Sequence, residues 1–298
     1  MFYPGEIIDD RYVVRDLLGS GNSGEVYAVY DEGVEQELAL KIQPARVLES
    51  TRSYREWGDS LGEEVVASQC LREVTGLVRA LGSGTHQGRE YYVMDNVGGR
   101  DLVDFADREG AVSSDRTAAV VTQLCDIIGG LHSHGWVHRD IKLENALIDD
   151  GGRVWLIDLG SAVEGDADVD PAGTPGYIAP EIVAGDPATP RSDIFSLGCL
   201  LFRMSIMRFP YVNKTGWRPE VAPPFPDDLG RALDALNPVV REVGLRMIAW
   251  NPNDRPQSTR EVADALRSVL PGPVDLPQLG RKPDPVRWYW LSTYAGEA

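Results

Sequence analysis

Residues 138–145 read His-Arg-Asp-Ile-Lys-Leu-Glu-Asn and directly follow the apolar pair Trp136-Val137. They place an acid, Asp140, two residues before Lys142 and five before Asn145. That spacing suits a site that accepts a hydroxyl proton, neutralises a phosphoryl group and ligates a divalent metal. A charge-rich turn between a helix and a strand could carry the same residues, so the remainder of the chain has to decide.

With 298 residues and 43% apolar content, the chain is long enough for two lobes with separate cores. Its net charge of -17 repels phosphate backbones and anionic lipid, which argues against nucleic acid or a membrane surface as partner. A basic protein or peptide would be attracted, although acidity also serves solubility. Cys70, Cys125 and Cys199 each fall in an apolar, helix-like segment without a C-x-x-C pair, and are expected to be reduced core residues. Residues 1–10 lack the basic start and long apolar core of a signal peptide. The most apolar run, 196–207, is interrupted by Arg203 and is far short of the roughly 20 residues of a bilayer span. A soluble, cytoplasmic protein is the expectation.

Residues 11–18 and 25–30 alternate like strands and are joined by Gly19-Ser20-Gly21-Asn22-Ser23-Gly24. G-x-G-x-x-G also occurs in dinucleotide-binding folds, but there the glycines lead into a helix, whereas Val26 here begins a second strand. Leu38-Ala39-Leu40-Lys41 is an apolar strand with one lysine, and 59–72 is helix-like with Val65, Ala67 and Leu71 on the apolar face. Glu64 fits that face and Glu63 is the fallback, while Ser68 is a misfit on it. Two further strands, 77–81 and 91–95, are expected around a Gly82-Ser83-Gly84 turn. From Leu102 the pattern turns helical, notably over 114–133 with Ser113 or Ser114 as N-cap. An apolar strand at 154–157 delivers Asp158-Leu159-Gly160, and helices are expected after Asp193, over 239–250 and over 259–270.

In this order, the motifs resemble the eukaryotic-like (Hanks-type) serine/threonine protein kinases, and the short loops look more like bacterial members. The resemblance implies a bilobal α+β fold, with a small antiparallel sheet lobe carrying one main helix and a larger, mostly helical lobe. It divides the chain into an extension at 1–10, a first lobe at 11–96, a second at 97–270 and a tail at 271–298. It implies ATP and Mg2+ as ligands, with Asp140, Lys142, Lys41 and Thr174 catalytic and Asn145 and Asp158 on the metal. Gly19, Gly21, Gly24, Val26, Ala39, Lys41, Glu64, Met94, Asp95, Val97 and Leu147 would form the nucleotide site, with Met94 also free to be simple core. Leu159 stands where the family's D-F-G motif has Phe, and Asn22-Ser23 where its loop tip often has an aromatic residue.

Between Gly160 and Gly173 only Ser161 could accept a phosphate, whereas Glu164, Asp166, Asp168 and Asp170 are acidic. One of these carboxylates could pair with Arg139 and order the loop; a solvated acidic loop is the alternative. Thr174 and the segment 173–181 match the serine/threonine, peptide-docking version of the family, with Glu181 paired to Arg255 for structure. Residues 271–285 hold five prolines and read as an extended linker. The aromatic tail around Trp288 and Trp290 would dock on its own domain, bind a partner or block the site. A scaffold that binds nucleotide without turnover, and a small-molecule kinase on the same fold, remain as other readings.

Overall fold

The structure, a computed structural model, describes residues 1–21, 24–45, 51–165, 173–211, 225–226, 229–272 and 282–294, with backbone alone at 51–60 and 294. The loop tip Asn22-Ser23, the acids Asp166, Asp168 and Asp170, and residues 273–281 of the expected linker lie outside the described residues. The chain forms two compact units. One comprises Met1–Glu73, Leu77–Gly98 and Asp158–Gly160, the other Val74–Gly76, Gly99–Ile157 and Ser161–Ala298.

In the first unit, alternation of apolar and polar residues builds an antiparallel sheet. Its strands are β1 (Ile7–Ile8), β2 (Tyr12–Gly21), β3 (Gly24–Asp31), β4 (Gln36–Ile42), β5 (Ala80–His86) and β6 (Arg89–Asp95), in the order β1-β2-β3-β4-β6-β5. Tyr27, Val29, Leu38, Leu40, Ile42, Tyr91 and Val93 are buried in one cluster with Ile8 and Phe2. Helix α1 (Thr51–Cys70) belongs to the same unit. It starts eight residues before the expected 59, running through Gly58, a poor helix former that gives no sign of continuation.

Three expectations need correction here. Gly82-Ser83-Gly84 is not a turn but lies inside β5, and the reversal falls at Gln87-Gly88, both with positive φ as a tight hairpin requires. Gly84 is glycine because a Cβ there would fall on the Tyr91 phenol. Cys70 is exposed, unlike Cys125 and Cys199, because it shares a helix stripe with exposed Glu63 and Val66. Ser68 is no misfit, since its buried Oγ accepts the Ala80 N–H at 2.8 Å and so meets the start of β5.

The second unit is organised around α3 (Ser114–Ser133), whose Ala118, Val121, Leu124, Ile128 and Leu131 are buried. Before it comes α2 (Leu102–Glu109), capped by Asp101, which accepts the Asp104 N–H at 2.7 Å. The Ser113 hydroxyl takes the N-cap position of α3 but donates to Asp115 at 2.5 Å, and Ser114 Oγ accepts the Asn237 N–H at 3.2 Å. Two small ladders shape the loops that follow. One joins β7 (Arg100–Asp101), β9 (Ala146–Ile148) and β10 (Val154–Leu156); the other pairs β8 (Trp136–Val137) with β11 (Val163–Glu164). Short helix α4 (Pro180–Ala184), buried α5 (Pro190–Ile206), α6 (Leu229–Asp234), α7 (Pro238–Met247) and α8 (Thr259–Leu266) complete this part; the sequence gives no sign of α6.

The tail helix α9 (Pro285–Tyr294) docks on its own unit, packed against α3 with Val286 and Tyr289 buried. Arg116 donates to the Pro283 carbonyl at 2.7 Å and Arg267 to the Tyr289 hydroxyl at 3.3 Å. The Arg153 guanidinium lies 3.7 Å from the Trp155 ring centre and 5.7 Å from that of Trp288. Deleting residues 282–298 is therefore expected to lower the unfolding free energy by at least about 2 kcal/mol, from the burial of Val286 and Tyr289 alone, as read by urea titration.

The expected Glu181–Arg255 pair is buried and bidentate, at 2.6 and 2.8 Å. Arg255 also donates to the carbonyls of Arg191, Ala249 and Trp250, so each face of the guanidinium fork is satisfied. Glu181→Ala strips a buried cation of its counter-charge. It should destabilise the protein by about 3–5 kcal/mol in chemical denaturation, far more than removal of an exposed pair.

Candidate active site

Within the first unit, four polar side chains meet in a buried group. Lys41 stands on β4, opposite Val26 on β3 and Tyr92 on β6. Its Nζ lies 2.7 Å from Glu64 Oε2 on α1 and 3.5 Å from Asp158 Oδ2. Glu64 is thus the partner and Glu63 is exposed. Tyr92, which sequence pattern does not single out, donates its hydroxyl to Glu64 Oε1 at 2.6 Å. The one hint is its position two residues before Met94, on the same face of a strand.

Burial alone would drive the Lys41 ammonium toward neutrality, but the carboxylates of Glu64 and Asp158 outweigh it and hold the proton more tightly than in water. Burial pushes the Glu64 carboxyl up; Lys41 opposes this and the Asp158 charge adds to it. Both shifts run upward, for Glu64 chiefly through burial and for Lys41 through its two carboxylate neighbours. Burial also pushes the Tyr92 phenol well up, so it remains a donor.

The glycines divide into two kinds. At Gly24, φ is +137° and a Cβ would lie 2.8 Å from the Ile42 carbonyl, so glycine is required by the chain itself. Gly19 and Gly21 have no such φ, and a Cβ on either would meet none of the described atoms within 4 Å. Backbone without a Cβ at these two positions would let a phosphate group approach closely. Ala39 is buried on β4 next to half-buried Met94 on β6. The Asp95 N–H donates to the Arg79 carbonyl at 3.3 Å, so contact with a ligand by Asp95 falls to its carbonyl. Val97 is half-buried beyond the end of β6.

Within the second unit, Asp140 is the focus of three side-chain donors. Lys142 Nζ and Asn145 Nδ2 reach its Oδ2 at 2.6 and 3.0 Å, and Thr174 Oγ1 reaches Oδ1 at 2.6 Å. Thr174 in turn accepts from Lys142 at 2.9 Å. Both carboxylate oxygens are held in one plane, with lone pairs left to accept a hydroxyl proton. Because Asn145 spends its amide nitrogen on Asp140, including the main-chain carbonyl at 2.9 Å, its Oδ1 is directed elsewhere as a hard donor. Leu147 is half-buried on β9, in register with Asp101 and Trp155.

The loop backbone owes its shape to Asp193 in the first turn of α5. The fully buried carboxylate accepts the N–H groups of His138 and Arg139, each at 2.9 Å, and meets His132 Nε2 at 2.8 Å. Arg139 has φ of +68° and Asp158 of +65°, left-handed conformations that non-glycine residues adopt only uncommonly. Leu159 is buried, as an apolar plug should be. Ser161 is half-buried and Glu164 exposed on β11, while the other acids of that loop are outside the described residues.

Asp158 and Asn145 offer carboxylate and amide oxygens, a donor set that fits Mg2+. Among the described residues no three His, Cys, Asp or Glu side chains form a metal cage.

A family model described as protein kinase domain matches residues 12–263. A probable serine/threonine-protein kinase of Corynebacterium efficiens is 31% identical over 281 residues, covering 87% of this chain and 41% of that protein. The serine/threonine-protein kinase PknD of Chlamydia trachomatis serovar D is 27% identical over 312 residues, covering 88% and 32%. The DNA damage-responsive serine/threonine-protein kinase RqkA of Deinococcus radiodurans is 29% identical over 286 residues, covering 87% and 40%. The chain therefore spans between a third and two fifths of the length of these relatives.

Burial would push the Asp193 carboxyl up, but the His132 hydrogen bond and charge, with His138 and its N–H, overcome it and hold the group below the usual range. A depressed folded value stabilises the protein above the unfolded value of about 3.9, and that contribution disappears as pH falls through the folded value. Wild type should exceed Asp193→Asn in urea-unfolding free energy at neutral pH, with the gap closing in acid below about pH 4. A gap independent of pH would contradict this account of Asp193.

Proposed function

The chain belongs to the protein kinase family, and we propose that it transfers the terminal phosphoryl group of ATP to a serine or threonine hydroxyl of a protein. The observation that carries this reading is the convergence of Lys142, Thr174 and Asn145 on the Asp140 carboxylate. Asp140 orients the acceptor hydroxyl and takes up its proton as the oxygen attacks phosphorus. Lys142 offsets charge on the phosphoryl oxygens during transfer. Thr174 links Asp140 to Lys142, so the acid and the cation keep a fixed spacing.

Lys41, held charged by Glu64, binds the inner phosphates of the donor. Gly19 and Gly21 let backbone N–H groups approach those phosphates, and Gly24 sets the loop's return. Val26, Ala39, Met94 and Leu147 are the apolar contacts for the adenine ring, with backbone groups of Asp95 and Val97 as hydrogen-bonding partners. Asn145 and Asp158 hold Mg2+, which when bound neutralises phosphate charge and aligns the leaving oxygen. A loose phosphoryl transition state asks for little beyond such positioning and charge compensation.

Lys142 and Thr174 favour serine or threonine over tyrosine as acceptor, in line with the names of the bacterial relatives. The net charge of -17 favours basic protein substrates. An ATP-using domain of this kind is expected to work in the cytoplasm. Among the described residues, no helix is long and apolar enough to cross a membrane.

Incubation with labelled ATP, Mg2+ and a generic basic protein tests the reading. Wild type should yield acid-stable phosphoserine or phosphothreonine and lose it on chelation of the metal. Asp140→Asn and Lys41→Ala should each fall by at least about 100-fold. Equal labelling by all three proteins would refute it.

A further inference from the structure

We propose that Tyr92 is a positioning residue for phosphoryl transfer, its buried phenol fixing Glu64 and, through Glu64, Lys41; this rests on the kinase reading above. Glu64 is itself buried and its carboxylate has two oxygens to satisfy. One accepts from Lys41 at 2.7 Å, the other from Tyr92 at 2.6 Å. A carboxylate tied to a flexible lysine alone can rotate and carry the ammonium with it. A second donor from a rigid ring on β6 fixes its plane.

The register strengthens the arrangement. Lys41 and Tyr92 are direct cross-strand partners, and the Lys41 Nζ lies 5.9 Å from the Tyr92 ring centre. One ring thus flanks the ammonium and holds the ammonium's counter-ion. Four residues along α1, on the same helix face, Ser68 receives the Ala80 N–H at 2.8 Å. Helix α1 is therefore hydrogen-bonded to the sheet side of its unit at Glu64 and Ser68, and only the Glu64 tie also reaches the reacting machinery. Removing the phenol oxygen leaves a buried carboxylate oxygen without its donor. Arrangements of α1 in which Glu64 turns to water then gain population at the expense of the observed one.

Tyr92→Phe keeps the ring and removes only the hydroxyl, so it is the variant of choice. Backbone hydrogen exchange of nucleotide-free protein and kcat/KM for ATP are to be measured for wild type, Tyr92→Phe, Glu64→Ala and the double variant. Tyr92→Phe should speed exchange over residues 61–70 by roughly tenfold and leave β2 and β3 unchanged. It should lower kcat/KM by roughly tenfold in the Glu64 background, and by less than about twofold where Glu64 is already alanine. Unchanged exchange, an equal loss in both backgrounds, or a uniform rise across the first unit would each overturn the proposal. A wild type that transfers no phosphate would instead remove the kinase reading and the catalytic half of the proposal; the exchange data would still decide whether Tyr92 holds α1.

Discussion

A single buried carboxylate, Asp193, sits where α5 begins and takes up the backbone N–H groups of two consecutive loop residues. A fully buried charge is costly unless its lone pairs are used, and here His138, Arg139 and His132 use them. The position in the first helical turn adds the favourable end of the helix dipole. Arg139, with its positive φ, then turns the chain immediately after these two N–H groups. The direction of the next residue, Asp140, follows from it. The contacts to this anion offset the cost of the unusual Arg139 conformation.

The group around Lys41 uses charge differently. Two carboxylates, buried Glu64 and partly exposed Asp158, share one buried ammonium, which leaves an excess of negative charge. Such a group favours any further cation that can approach Asp158, and equally any proton. Its stability as drawn depends on the neutral donor Tyr92 and on the packing that seats α1. The acid-bearing loop, in contrast, surrounds one carboxylate with an ammonium, a hydroxyl and an amide.

Much of this was legible in the order of residues. Alternation gave the strands around Tyr27 and Leu40, and the 3.6-residue period gave α3 to the residue. The glycine loop, Lys41, Glu64 and the loop around Asp140 could be placed because their order along the chain resembles that of one family, whereas each alone is weak evidence. What failed was decided by tertiary contacts. Gly82-Ser83-Gly84 carries the composition of a turn, yet it is a strand in which Gly84 makes room for Tyr91. Ser68 and Cys70 differ by two positions and have opposite exposure, which depends on the helix's rotation against the sheet. Tyr92 reads as one more aromatic in a strand; its hydroxyl acquires a role only from a helix more than twenty residues upstream.

The two-residue ladder of β8 and β11 has a consequence for motion. Trp136 and Val137 stand opposite Glu164 and Val163 in the antiparallel ladder, and the Gly165 N–H donates to the Gly135 carbonyl at 2.8 Å. The chain leading into the acid loop and the chain leaving the Asp158 turn are thereby clipped together like the two legs of a buckle. A pull on the segment that continues past Gly165 acts first on this clip, whose other leg leads straight to His138. A displacement of Gly165 therefore has a short mechanical route to the loop that carries Asp140.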